Sequence, residues 1–285
     1  MKGISFNTWV YSSFPVWVPC YPLEEVIKRL SGFGYDAIEI GCASPHAWPD
    51  YLSPARRRDI LALLREKNLK VSAMLPAPGG GPGFNPASIL KEERDFTVKH
   101  YKDVIRLAHE WECPTVMWLA GWMAFGMSRR DAWQYSLECL GDVAEYAREM
   151  GITLVVEPTA ADSNLIESAD DALMMSEEVG MDNVKLMFDT YHAIYRNEVP
   201  SDYVYRMADK LHHVHIADKD RLPPGQGSCN FESVLRALKE IDYQGYLSME
   251  VGFDSRSVDP DWYARESIAY LKDLMQKIDW NKTEI

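Results

Sequence analysis

The chain has little that would tie it to an oxidising compartment, a membrane or a nucleic acid. Cysteine is sparse: Cys20, Cys42, Cys113, Cys139 and Cys229 are odd in number, widely spaced and form no Cys-x-x-Cys pair. They read as free thiols of a reducing cytoplasm rather than a disulfide framework. No apolar run is long enough to span a bilayer. The N-terminal MKGISFNTWV enters a strand pattern with no basic segment and long apolar stretch before it, so secretion is not expected. Basic residues are outnumbered 30 to 43, which leaves a net charge of −13 and no basic block. That balance argues against a phosphate-backbone partner. Linkers, low-complexity tracts and shifts in composition are also missing, so residues 1–285 are expected to form one domain.

What is present is a large apolar fraction, 47% of the residues, in a length normal for a single (β/α)8 barrel. Short β-rich runs recur at Ile4 (ISFNTW), Asp36 (DAIEIG), Leu69 (LKVSAML), Pro114 (PTVMWLA), Ile152 (ITLVVEP), Val184 (VKLMFD), Leu211 (LHHVHIAD) and Gly245 (GYLSMEV). An amphipathic helical segment follows each. Pro22-Leu23-Glu24-Glu25 opens one helix with acids in its first turn, where the dipole favours them. Ser53-Pro54 supplies an N-cap and first helical residue to the next. A long helix is expected over Ser88–Glu112 with Phe96, Val98, Tyr101, Val104, Ile105 and Ala108 on its apolar side, and Ser128 caps another through Ala147. Strict alternation of eight such units predicts an α/β fold, a (β/α)8 TIM barrel with a closed parallel sheet.

Two inserts follow strands. Residues 11–21 (YSSFPVWVPCY) are aromatic and proline-rich, and residues 77–86 (APGGGPGFNP) lack the Gly-Lys-Ser/Thr signature of a phosphate loop and read as a flexible lid.

The chemistry is concentrated at strand ends. Strand five ends on Glu157, strand six on Asp189, strand seven delivers His215 and strand eight ends on Glu250. In a barrel these four ends meet at one mouth, where three anions in a partly dry site repel one another unless a cation sits among them. Three carboxylates and one imidazole suit an octahedral Mn²⁺, Mg²⁺ or Co²⁺ and leave positions for substrate oxygens. A divalent ion between adjacent carbonyl and hydroxyl oxygens acidifies the intervening C–H. Glu157 and Glu250, reaching from opposite sides, would then epimerise the carbon, or isomerise an aldose and ketose if the proton returns to its neighbour. His192 is placed to bond a substrate hydroxyl, with a surface histidine as the alternative. Arg221 would grip a hydroxyl or anionic substituent, or make a surface salt bridge. On the pleat His213 shares a face with His215 and packs beneath it, while His212 points outward toward a helix. Asp218 is a further substrate-side candidate, and nine tryptophans and fifteen tyrosines suit sugar stacking as well as core and subunit contacts.

At these residues the chain resembles the xylose-isomerase-like (β/α)8 superfamily, in particular its sugar 3-epimerase branch of D-tagatose, D-psicose and fructoselysine 3-epimerases. The matching pieces are GYDAIEI at 34–40, LVVEP at 154–158, FDTYH at 188–192, HVHIADKD at 213–220 and GYLSMEV at 245–251, and SPHAWPDYL at 44–52 is similar to the fructoselysine enzyme. The resemblance implies that Glu157, Asp189, His215 and Glu250 bind Mn²⁺ or a similar ion. It also implies that the two glutamates act as the acid/base pair and that His192 and Arg221 hold the substrate. Where the family carries a second glutamate before Ser-Asn, this chain has the one-residue-shorter EPTAADSN, with Asp162 in that role. The Trp17 insert and the glycine-rich lid suggest a different or larger substrate than a simple ketohexose, with His46 as a contact for its distal part.

The leading expectation is a metal-dependent isomerase acting on a small carbohydrate, cytoplasmic and a homodimer or homotetramer. A metal-dependent lyase or dehydratase, including one that cleaves 3-keto-glycosides, is the alternative on the same scaffold. An abasic-site endonuclease would need many more strand-end histidines and less negative charge. A non-catalytic binding module would bind its ligand without metal.

Overall fold

The computed structural model describes residues 1–12, 19–77, 79, 81, 83–252 and 259–280. Trp17 and most of its insert lie outside the described residues, as do Pro78, Gly80 and Pro82 of the glycine-rich stretch. Eight strands appear where the apolar runs put them: β1 (Gly3–Asn7), β2 (Ala37–Cys42), β3 (Lys70–Pro76), β4 (Thr115–Trp118), β5 (Thr153–Val156), β6 (Val184–Asp189), β7 (Leu211–Ile216) and β8 (Tyr246–Met249). They pair in sequence order, all parallel, and β1 closes on β8 through Gly3 opposite Tyr246 and Phe6 opposite Met249. Parallel neighbours need crossovers, and the helices between strands supply them.

Among the described residues, ten helices surround the barrel: α1 (Trp9–Ser12), α2 (Leu23–Phe33), α3 (Pro54–Glu66), α4 (Lys91–Glu110), α5 (Arg129–Glu149), α6 (Ala169–Val179), α7 (Thr190–Tyr195), α8 (Pro200–Met207), α9 (Phe231–Glu240) and α10 (Pro260–Lys277). The caps act as their chemistry predicts. Ser53 accepts from Arg56 N–H, Ser128 from Asp131 N–H, and Ser168 forms a reciprocal box with Asp171. Four details differ from the sequence expectation. The first strand stops at Asn7, because Asn7 Oδ1 accepts the Trp9 N–H at 2.8 Å and turns the chain into α1. The long helix starts at Lys91, since the Ser88 hydroxyl accepts the Leu90 N–H in a turn before it. On that helix Phe96 is 47% exposed and leans on Phe84 instead of entering the core. The β6–β7 crossover also carries two helices, α7 and α8, where one was expected.

Outward-facing side chains such as Phe6, Ile38, Ile40, Val116, Leu154, Phe188, Val214 and Leu247 pack under the helices in one continuous core. The inside of the barrel divides in two. Ala73 and Leu75 of β3, Met117 of β4, Val155 of β5 and Met187 of β6 form a separate apolar cluster. The other half, from β7 through β8 and β1 to β2, is buried and polar: His213, His215, Ser248, Ser5, Asn7 and Glu39. Polar groups in a dry interior persist only when they satisfy one another. This half therefore bears on the mouth above it. Among the described residues, no helix is long and apolar enough to cross a membrane.

Candidate metal centre

β5 runs directly into Glu157, β6 ends on Asp189, β7 carries His215 one residue from its end, and β8 runs into Glu250. The register puts Asp189 beside His215 and His215 beside Ser248, so these side chains share the inner face of the sheet. All four groups are 5% exposed or less. His215 Nδ1 lies 3.1 Å from Glu250 Oε2 and 3.5 Å from Glu157 Oε1. Donor atoms of Glu157, Asp189 and His215 lie within 4.8 Å of one another. The four expected strand-end groups thus converge.

Arg221 joins them. Its guanidinium pairs with the Asp189 carboxylate, lies 2.8 Å from Glu250 Oε2, and rests 4.2 Å from the centre of the Tyr191 ring. Arg221 and the preceding Asp220 both adopt left-handed backbone conformations, φ 60° and 59°. Such a pair is disfavoured for residues with a Cβ and needs outside support. Asp218 gives it: its carboxylate accepts the N–H groups of Lys219, Gly225, Gly227 and Cys229 and so gathers the whole loop after β7. A Cβ at Gly227 would sit 2.4 Å from Asp218 Oδ1, which is why that position carries none. Asp218 is therefore a loop organiser rather than a substrate contact, a correction to the sequence reading.

His192, on α7, is 3% exposed and lies beside the cluster, not on the surface. Its Nδ1 accepts the Ala161 N–H at 3.2 Å, and its Nε2 is 3.3 Å from Arg221 Nη2 and 3.6 Å from Asp162 Oδ2. Asp162 stands at the rim with its side chain 71% exposed. Two other histidines are corrected. His46 is fully buried, with Nε2 2.7 Å from the Tyr21 carbonyl, and cannot meet the distal part of a substrate as placed. His212 does not face a helix. A register shift between the Leu186 and Met187 pairs inserts it as an extra residue of β7, so that it turns inward with His213 and reaches Thr115 Oγ1 of β4 at 3.2 Å. His213 packs beneath His215 as expected, ring centres 5.4 Å apart.

Glu39 was missed. It lies in the middle of β2, fully buried, with Oε1 2.7 Å from Asn7 Nδ2 and Oε2 2.5 Å from His213 Nε2. His215 Nε2 is 2.7 Å from Glu39 Oε1, within ion-pair distance but off the line of an ideal hydrogen bond. Asn7 also reaches Glu250 Oε1 at 3.2 Å. The signal was available: one charge inside the apolar run AIEIG has no business in a buried strand unless it faces a partner across the barrel.

The charges respond to this arrangement in different ways. Burial pushes the Glu157 carboxyl up to about 7, and burial raises Asp189 to about 6 against the pull of Arg221. Burial acts the same way on Glu250, but Arg221 and His215 overcome it and hold the group well below the carboxylate range. Burial also opposes the charged form of His215, yet Glu39 and Glu250 raise it well above its ordinary value. His192, desolvated and beside Arg221, is held well below its own and is neutral at pH 7. Glu157 Oε1 is buried and has no hydrogen-bond partner. An orphaned carboxylate oxygen among two more acids and an imidazole is what a hard divalent cation requires, and the residues fit one.

A parallel (β/α)8 barrel with a carboxylate-rich, cation-competent mouth defines the class. The profile of the xylose isomerase-like TIM barrel family matches residues 27–274, and the chain belongs to that family. It is 33% identical over 281 residues to L-ribulose 3-epimerase of Mesorhizobium japonicum, covering 94% of this chain and 87% of that one. Fructoselysine 3-epimerase of Shigella flexneri is 26% identical over 260 residues, covering 89% and 94%. Among solved structures, D-psicose 3-epimerase from Clostridium cellulolyticum H10, crystallised with D-tagatose, superposes with a TM-score of 0.83 at 19% identity, covering 97% of this chain and 99% of that chain. That likeness speaks for the fold.

Proposed function

We propose that the protein is a divalent-metal-dependent 3-epimerase of a sugar or keto-sugar. One observation carries the reading: Glu157 and Glu250, three strands apart, bring their carboxylates to the same imidazole nitrogen, at 3.5 and 3.1 Å. The sugar 3-epimerases among the relatives support the substrate class. Glu157, Asp189, His215 and Glu250 would hold the ion, Mn²⁺ by preference, with Mg²⁺ or Co²⁺ able to serve the same oxygen-rich set. When bound, the ion acidifies the C–H between neighbouring carbonyl and hydroxyl oxygens and stabilises the negative charge left behind.

The rest falls to the chain. A carboxylate on each side of the reacting carbon lets one glutamate take the proton from one face and the other return a proton to the opposite face. That inverts the centre. Glu157, whose Oε1 has no hydrogen-bond partner of its own, is free to turn an oxygen to the reacting carbon. Neutral His192 can bond a hydroxyl without adding charge, and Arg221 fixes Asp189 and Glu250 while its guanidinium faces the same space. Asp162 at the rim is the remaining polar candidate for substrate contact.

The test is solvent exchange. Metal-loaded protein is incubated in D₂O with a panel of ketoses, glycosylamine-type sugars and 3-keto-sugars. The expected result is deuterium at C3 in substrate and epimer, lost in Glu157→Gln and Glu250→Gln. An unsaturated or cleaved product would establish the lyase alternative instead. No exchange on any panel member would sink the epimerase reading.

A further inference from the structure

Apart from His215, the polar half of the barrel interior has no task in the reaction just described, yet a fully buried carboxylate sits at its centre with three side chains on it. Glu39 is fully buried on β2 and draws on two other strands: Asn7 of β1 at 2.7 Å, and His213 and His215 of β7 at 2.5 and 2.7 Å. A leucine there would fill the space without any of this. Two of the links lead to the mouth. Glu39 touches His215 directly and reaches Glu250 through Asn7, whose amide nitrogen lies 3.2 Å from Glu250 Oε1.

We infer that Glu39 is a positioning residue of the metal centre: it is the acceptor for the Nε2–H of His215 and thereby keeps the lone pair on Nδ1, the nitrogen facing Glu157 and Glu250. The inference rests on the proposed metal site. Three features carry it. His215 Nε2 is buried, finds no better partner among the described residues, and has Glu39 Oε1 within 2.7 Å. His213 holds the other carboxylate oxygen at 2.5 Å, and Asn7 donates to Oε1, so the carboxylate cannot rotate away. The opposite nitrogen, Nδ1, is the one directed at the orphaned Glu157 Oε1 and at Glu250. An imidazole whose far nitrogen is bonded to a carboxylate has its tautomer and ring orientation fixed and is a more basic ligand. Removing such a partner typically weakens metal affinity about 10- to 100-fold.

Glu39, His213 and His215 also form a cluster of donor atoms within 4.8 Å. Their separations of 2.5 and 2.7 Å are those of groups in direct contact with one another, which favours the supporting role over a second cation site.

The experiment measures metal binding rather than turnover. Mn²⁺ is titrated calorimetrically into chelator-treated wild type, Glu39→Gln, Glu157→Gln and Asp189→Asn. In parallel, the imidazole ¹⁵N resonances of Mg²⁺-loaded protein report which nitrogen of His215 carries the proton. Expected are one site in the wild type, binding abolished in Glu157→Gln and Asp189→Asn, a 10- to 100-fold weaker single site in Glu39→Gln, and a slowly exchanging proton on His215 Nε2. Wild-type affinity and an unchanged imidazole spectrum in a folded Glu39→Gln overturn the inference while leaving the metal reading intact. Binding that survives Glu157→Gln but vanishes in Glu39→Gln puts the cation at the lower cluster and overturns both. If Glu39→Gln does not fold, the wild-type spectrum decides: a proton on Nδ1 of His215 in the loaded protein overturns the inference.

Discussion

Replacing Glu157 by glutamine should stabilise the metal-free protein even as it destroys the site. Glu157 is 2% exposed, and its Oε1 has no hydrogen bond. Burial raises its carboxyl from 4.5 to about 7. Moving a carboxyl that far costs its ionised form roughly 3 kcal/mol in the folded chain relative to the unfolded one. The sign follows from proton counting. Between pH 4.5 and 7 the folded protein binds a proton at Glu157 that the unfolded chain has already released, so stability falls as pH rises through that window. The penalty is complete above about 7 and absent below 4.5. Glutamine keeps the shape and carries no charge at any pH. With roughly 2 cal/mol/K of unfolding entropy per residue, ~3 kcal/mol amounts to about 5 °C in melting temperature for a chain of this size. Melts in chelator should therefore show the variant above wild type by about 5 °C at pH 8 and by only about 1 °C at pH 5. Added Mn²⁺ should reverse the order at pH 8 by stabilising only the wild type. A variant that melts at or below wild type at pH 8 in chelator would refute the claim that burial of Glu157 outweighs its attraction to His215.

Arg221→Met should act in the opposite direction: with the guanidinium gone, buried Asp189 loses its ion-pair partner and Glu250 keeps only His215 and Asn7, for a loss of about 3 to 5 kcal/mol at pH 8 by denaturant titration. The loss should shrink toward pH 5 as Asp189, raised to about 6, takes up a proton. Mn²⁺ affinity measured calorimetrically should fall by about tenfold per pH unit or more below 7, because Glu157 and then Asp189 must release protons to bind; a flat profile from pH 8 to 5 would contradict that donor set. The exposed Tyr51, Ile89, Leu90 and Phe125, on loops that follow β2, β3 and β4, fit a self-association surface. Light scattering should give a dimer or tetramer that Phe125→Ser weakens, and a monomeric wild type would remove the expectation.

Much of the site could be read one strand at a time. An apolar run that stops on a charge, as ITLVVE, VKLMFD and GYLSME do, is a local pattern, and four in succession under one rule point to one mouth. Eight strand–helix units likewise fix the barrel without any contact being known, because parallel neighbours leave few ways to close. Helix starts at Ser53 and Ser128 were local too, since a cap bonds backbone three residues away.

What escaped depends on distance in sequence or on register. Glu39 gains its meaning from His213 and His215, some 175 residues on and across the chain closure, and from Asn7 beside it on β1. No spacing rule connects them. His212 changed faces because one extra residue in β7 reverses the alternation, and the shift is visible only against β6. Asp218 looked like a ligand for a sugar until the loop folded back and brought four amides to it. The sequence alone therefore determined the barrel and the ring of donors at its mouth, which are sums of local patterns. Tertiary structure alone decided which half of the interior is polar and which groups support that ring. Those depend on how strands from opposite ends of the chain meet, and a buried charge is tolerated only where that meeting supplies its partners.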